Sequence, residues 1–227
     1  NSRTMRDILI AIGNSYIHGT PNRIRMDPES GLIFSPSHFT WMDTNYPAGT
    51  PRQGYCVEIQ ALWYSALVFL SKIDVPAKEK WERLAQQVQK SILDFFPRKE
   101  GFLSDCLHAD FHEPANVAVP DDSIRPNQLF AITSGAVTDS TVTVKILQSC
   151  EELLVPGAIR SLADRPVSHP LNIVHNGSVI NDPYHPYQGE YTGDEDTRRK
   201  PAYHNGTAWT WIFPTFCEAW TMVFGPG

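Results

Sequence analysis

Residues 56–72 are apolar on nearly every side, and this constrains the fold more than anything else in the chain. Val57, Ile59, Leu62, Trp63, Leu67, Val68 and Leu70 fall around the whole circumference of a helix. A helix of that composition is expected to be covered on all sides. The next helical segment, 77–96, is different: Trp81, Leu84, Val88, Ile92, Phe95 and Phe96 share one face, and the rest is polar. Pro76 suits its first turn. A buried helix followed by an amphipathic one predicts two concentric helical layers, the inner wrapped by the outer.

The remaining helices follow from spacing and caps. Met5, Ile8, Leu9, Ile12 and Tyr16 predict a helix that Gly19 and Pro21 stop. A short helix is expected from Pro126 to near Gly135. Asp139 can cap the next, with Val142, Ile146, Leu147, Cys150, Leu153 and Leu154 as its stripe. The last should run from about Ala208 to Phe224, apolar all round. Strand-like alternation is confined to short pieces near Leu32–Phe34 and Asn172–Val174. The expected class is all-α, with long loops at about 19–55, 97–124 and 157–203. Loops longer than about 15 residues are uncommon in compact domains unless they carry function.

With 227 residues, 41% of them hydrophobic, the chain can bury a sizeable core as a single domain, 1–227. A net charge of -6 argues against a nucleic-acid partner. No apolar run reaches the roughly 20 residues of a membrane span. The chain opens Asn1-Ser2-Arg3-Thr4, without an initiator Met or a signal-peptide core, and reads as a cut into a longer chain. Cys56, Cys106, Cys150 and Cys217 show no CxxC spacing and are expected as free thiols in a reducing cytoplasm. The sequons at Asn176 and Asn205 are read as chance in that setting.

The first long loop holds an aromatic, an acid and an arginine together: Trp41, Asp43 and Arg52. A carboxyl can move protons, an aromatic face can stack on a pyranose, and a guanidinium can bond hydroxyls or a carboxylate. The segments Thr40-Trp41-Met42-Asp43, Thr50-Pro51-Arg52, 57–64, 124–131 and Ala202-Tyr203-His204-Asn205-Gly206-Thr207 occur in that order. Together they resemble the C-terminal glucosidase domain of glycogen-debranching enzymes, the amylo-alpha-1,6-glucosidases, over nearly the whole chain. The resemblance implies an (α/α)6 toroid, inverting hydrolysis of α-1,6-linked glucose stubs, an α-glucan such as glycogen or limit dextrin as substrate, and no metal or organic cofactor. The family usually reads A-Y-H-x-G-T-V-W-P-W; here Ala208 and Thr210 stand where Val and Pro are expected. About six substantial helices are roughly half of what a toroid needs. The chain therefore reads as the C-terminal half of a catalytic domain, whose open side would be covered by self-association.

Inverting glycoside hydrolysis needs a protonated carboxyl at the glycosidic oxygen and a carboxylate to activate water, ~6.5–9.5 Å apart. Asp43 is the acid candidate, because Trp41 and Met42 would desolvate it and raise its pKa. The second carboxylate of the family lies in the loop ahead of Tyr203-His204. The resemblance places it on Asp194, with Glu195 and Asp196 as alternates. Glu58 either joins the sugar site or complements the N-terminal dipole of its helix. Arg52 and Arg125, each beside a proline, are expected to bond sugar hydroxyls or a catalytic carboxylate, or to form a structural salt bridge. Asn127, Gln128, Tyr203 and His204 are further sugar-contact candidates. Trp41, Trp209 and Trp211 are candidate sugar platforms, and Trp63, Trp81 and Trp220 are expected in the core. His108, His112 and Glu113 have the i, i+4 spacing of a zinc pair on a helix, but Pro114 and Pro120 keep that region loop-like, so no metal site is expected. Two other readings stay open: a non-catalytic glucan-binding fragment, and a toroid glycosidase acting on another α-linked sugar.

Overall fold

The computed structural model describes residues 3–44 and 49–225; Asn1, Ser2 and part of the first long loop lie outside the described residues. Among those described, the helices are α1 (Met5–His18), α2 (Val57–Ile73), α3 (Lys78–Phe95), α4 (Leu129–Thr133), α5 (Ser140–Glu151), α6 (Lys200–Tyr203) and α7 (Phe213–Phe224). The strands are β1 (Arg25–Met26), β2 (Ile33–Phe34), β3 (Gly54–Cys56), β4 (Cys106–His108), β5 (Val119–Pro120), β6 (Leu154–Val155), β7 (Ala158–Arg160), β8 (Val174–His175), β9 (Ser178–Val179) and β10 (Ala208–Trp209).

The expectation of an all-α toroid is overturned. Helix makes up 42% and strand 12%, the strands lying in several small antiparallel sheets. Two are hairpins, β1–β2 and β8–β9; two are three-stranded, ordered β3-β4-β5 and β10-β7-β6. The long loops satisfy their backbone polar groups by pairing with one another, as buried or half-buried chain must. Strands of two or three residues are too short to show a period of two, so spacing gave no sign of most of them.

The helices form where the spacing placed them. Thr4 and Asp7 close a capping box at the start of α1. Asp139 caps α5 by accepting from Val142 N–H. Pro126–Gln128 is a 3-10 turn that leads into α4. The last helix starts at Phe213 and not near Ala208, because Ala208–Trp209 pairs with Ile159–Arg160 as β10.

One hydrophobic core runs through the molecule. α2 packs against α1, α3 and α4, and α7 against α4 and α5. α2 is nevertheless not covered on every side: Leu62 and Phe69, each 50% exposed, share an open face. Trp63 and Trp81 are core residues as expected, but Trp220 is exposed. Gln60 of α2 ties the helix to β2: its Oε1 accepts from Ile33 N–H at 2.7 Å and its Nε2 donates to Ile33 O at 2.9 Å. At Gly13 the helices approach so closely that an added Cβ would lie 2.6 Å from Leu70 Cδ1.

β3 and β4 carry the residues around which the site is built. Gly54 begins β3 with φ 127°, and a Cβ there would sit 2.1 Å from Leu107 O. Only glycine takes that conformation with the partner strand so near. Cys56 and Cys106 face each other across the pair, Sγ to Sγ 3.7 Å; both are buried free thiols, as is Cys150, whereas Cys217 is exposed. Among the described residues no helix is long and apolar enough to cross a membrane.

Candidate active site

A buried ionic cluster lies where β3, β4 and the start of α2 meet. Arg52 is 2% exposed. Its two Nη atoms donate to Glu58 Oε1 and Oε2, both at 2.7 Å, and its Nε lies 2.6 Å from Asp105 Oδ2. Arg125 Nε approaches the same Asp105 oxygen at 3.4 Å. Asp105 Oδ1 accepts from Asn127 Nδ2 at 2.7 Å. One carboxylate thus holds two guanidiniums and an amide away from water.

Burial pushes the Asp105 carboxyl up to about 6, against the pull of Arg52 and Arg125. Burial also works against the charge on Arg52, but Asp105, Cys56 and Glu58 outweigh it and hold that guanidinium above its ordinary range. Arg125 moves the other way: burial lowers it, Arg52 adds to this, and Asp105 only partly compensates.

Two further segments lock onto this cluster. Arg125 donates to Ser161 O at 3.0 Å, to His204 O, and to Asn205 Oδ1 at 2.7 Å. Asn205 Nδ2 donates to Gly49 O and to Pro201 O, and Thr50 Oγ1 donates to Asn205 Oδ1 at 3.3 Å. Residues 49–52 and 201–205 are therefore sewn together through Arg125 and Asn205.

The Thr40–Asp43 segment rests on top. Trp41 Nε1 donates to Asn127 Oδ1 at 2.7 Å. The Trp41 ring meets His204 edge-on at 5.2 Å and Trp211 edge-on at 4.9 Å. Met42 is 1% exposed, and its sulfur receives Asn127 Nδ2 at 3.8 Å. Asp43 is thereby left exposed on an anchored segment. The expected desolvation by Trp41 and Met42 is not what the structure shows, because Met42 turns into the core and Trp41 lies against Asn127 and His204.

The second candidate loop comes close. A Cβ on Gly49 would lie 2.5 Å from both Thr44 Oγ1 and Lys200 O, so the chain just after Asp43 abuts the end of the 194–200 segment. Asp194 caps a single π-helical turn, Glu195–Arg199, accepting from Asp196 N, Thr197 N and Thr197 Oγ1. The Thr197 hydrogen bonds hold its carboxyl below the ordinary range. Lys200 pairs with Asp196 at 2.6 Å.

The expected sugar contacts divide into two groups. Arg52, Glu58, Arg125, Asn127 and His204 come together, but inside: each is at most 2% exposed. Arg52 and Arg125 form buried ion pairs, Arg52 with Glu58 and Asp105 and Arg125 with Asp105, and the pairing of Glu58 was not among its expected roles. Gln128 is also buried, accepting from Leu103 N–H at 3.0 Å and donating to Arg125 O at 3.2 Å. Burial, then Arg125 and Arg52, press the His204 imidazole down to about 3, so it is neutral in use. The second group is half-buried: Tyr203 and Trp209 meet at 4.6 Å, and exposed Tyr191 and Trp211 extend the aromatic cluster at Tyr203 (5.5 Å) and at Trp41 (4.9 Å).

Sequence reasoning missed Asp105, Asp121 and Asn205. Asp105 had a signal: it interrupts an otherwise apolar run, Phe102-Leu103-Ser104-Asp105-Cys106-Leu107, where a carboxylate must have a buried partner. His108 and His112 do not share a helix. His108 ends β4 and pairs with Asp121 at 3.2 Å, and His112 lies in the following turn beside Phe111. Among the described residues no group of three or more His, Cys, Asp or Glu gathers to hold a metal ion.

The arrangement combines an anchored exposed acid, a neighbouring acidic loop and an aromatic surface on a rigid charged base. The family model for amylo-alpha-1,6-glucosidase matches residues 3–225. The chain belongs to that family. No curated protein matches it. The family match covers the Thr40–Asp43 segment, the buried cluster and the Tyr203-His204 segment alike, so the structural base and the exposed surface belong to one family domain.

Proposed function

We propose that the protein is a glycoside hydrolase that releases glucose from single α-1,6-linked stubs on an α-glucan by an inverting mechanism. The observation that carries this reading is the anchoring of Trp41. Asn127 accepts from its Nε1, His204 and Trp211 meet its ring edge-on, and Asp43 stands exposed two residues on in the same segment. Asp43 acts as the acid, giving its proton to the glycosidic oxygen. A glucosyl ring stacked on the aromatic surface supplies the desolvation that the free site lacks. Asp194 acts as the base, taking a proton from the water that attacks the anomeric carbon; its hydrogen bonds keep it ionised for that role. Asn127 and Arg52 are positioning residues, since Asn127 accepts from Trp41 and Arg52 donates to Thr40, and Glu58, Asp105 and Arg125 hold those two in place.

The reading is tested on limit dextrin. Asp43→Asn should lower kcat by roughly 10²–10⁴-fold and leave KM within about twofold. Asp194→Asn keeps an acceptor for Thr197 N–H, so the capped turn survives while the charge is lost. It should also lower kcat. An unchanged rate for Asp43→Asn would move the acid elsewhere. An unchanged rate for Asp194→Asn with a normal fold would leave that residue as a cap alone.

A further inference from the structure

The loop that carries Asp194 begins and ends on one residue. At its entry Gln188 N–H donates to Asn205 O at 2.6 Å, and at its exit Asn205 Nδ2 donates to Pro201 O at 2.8 Å. The same side chain holds the other acidic segment: Nδ2 also donates to Gly49 O, and Oδ1 accepts from Thr50 Oγ1 at 3.3 Å. Arg125 Nη2 donates to that oxygen at 2.7 Å and ties both segments to the charged base. A carboxamide offers two N–H donors and one oxygen with two lone pairs. All four are used here, in a side chain with no exposed surface. The partners also fix which way the amide points. Turned over, it would aim N–H at a guanidinium and oxygen at two carbonyls.

Two close approaches make the joint narrow. A Cβ on Gly49 would meet Lys200 O and Thr44 Oγ1, each at 2.5 Å, and Thr44 directly follows Asp43. A Cβ on Gly206 would lie 2.5 Å from Gln188 O. Backbone meets backbone at both contacts, so neither yields unless the chain moves. Spacing has a chemical consequence at this joint. Inverting hydrolysis works with carboxyls ~6.5–9.5 Å apart, whereas at ~5–5.5 Å the second carboxylate attacks the sugar itself. A misplacement of about 1 Å costs about 10²-fold in rate.

We propose that Asn205 is a positioning residue that sets the spacing between the Asp43 segment and the Asp194 loop, with the chemistry taken from the hydrolytic reading above and the clasp from the hydrogen bonds alone. Asn205 acts through Gly49, Thr50, Gln188 and Pro201. It stands at the open position of A-Y-H-x-G-T, so the motif assigns it no role.

Asn205→Asp tests this. The carboxylate keeps the shape and the acceptor for Arg125 and Thr50, and loses both donors, so the clasp opens at Gly49 and Pro201 while the anchor stays. On limit dextrin, kcat per folded molecule, with the folded fraction read from the unfolding curve at the assay temperature, should fall about 10–100-fold and KM stay within about twofold. Gly49→Ala wedges the same joint and leaves every partner of Asn205 in place; it should lower kcat in the same way, and it carries the test where Asn205→Asp does not fold. Amide hydrogen exchange in Asn205→Asp should quicken in residues 49–52 and 188–200 together and stay unchanged in α3. Faster exchange in one of those segments alone, or in neither, would overturn the proposal. So would an unchanged kcat per folded molecule in either variant while Asp43→Asn is inactive. A full rate in Asp43→Asn would instead remove the hydrolytic reading, and the exchange measurement would still decide the clasp.

Discussion

Asp105 is the residue on which the site depends most. Removing its carboxylate leaves Arg52 and Arg125 facing each other in a water-free cluster with only Glu58 between them. Asp105→Ala should therefore destabilise the protein by about 3–5 kcal/mol in a urea titration. The same residue predicts a pH dependence. Its folded carboxyl is raised to about 6, above the ordinary 3.8, so between those values the folded state holds a proton that the unfolded chain has lost. Stability must then fall as pH rises through that window and level off above it. Asp105→Asn should remove this portion of the slope, which a pH series of unfolding midpoints would detect. An unaltered slope would assign the titration to another group. Asp105 was partly legible, as a lone acid in an apolar run. Asn205 was not, because nothing in Tyr203-His204-Asn205 tells which side chain turns inward.

At the scale of elements, the long helices were legible, and of the strands only β2 and β8 were, near Leu32–Phe34 and Asn172–Val174. α1, α2, α3 and α5 lie where apolar spacing and the cap Asp139 placed them. The strands consist of two or three residues, and the pairs β3–β4 and β7–β10 join segments far apart in the chain, which no local pattern encodes. Two glycines show how tightly these elements meet. Gly54→Ala would need φ 127° and would press its Cβ to 2.1 Å from Leu107 O, so a loss of roughly 3 kcal/mol is expected. Gly13→Ala collides only with the end of a leucine side chain, at 2.6 Å, and should cost less, roughly 1–3 kcal/mol. Equal losses at the two positions, measured by chemical denaturation, would mean that β3 can shift away from β4.

For the molecule as a whole, the family was legible from motifs well before the architecture was. Thr40–Asp43, Thr50–Arg52 and Ala202–Thr207 are distant in sequence, and the structure joins them through Arg125, Asn127 and Asn205. The expected two-layer helical ring is not what forms, because the segments read as long loops pair as small antiparallel sheets. Most motif residues are buried in the cluster beneath Trp41, while Asp43 is exposed. The central claim is that Asp43 serves as the acid of an inverting glucosidase. It is tested most directly by proton NMR of the first turnovers on limit dextrin bearing single α-1,6-linked glucose stubs, with Asp43→Asn run alongside. β-Glucose should appear first and mutarotate later, and the variant should release almost none. Initial α-glucose, or release by Asp43→Asn at the unmodified rate, would contradict the account.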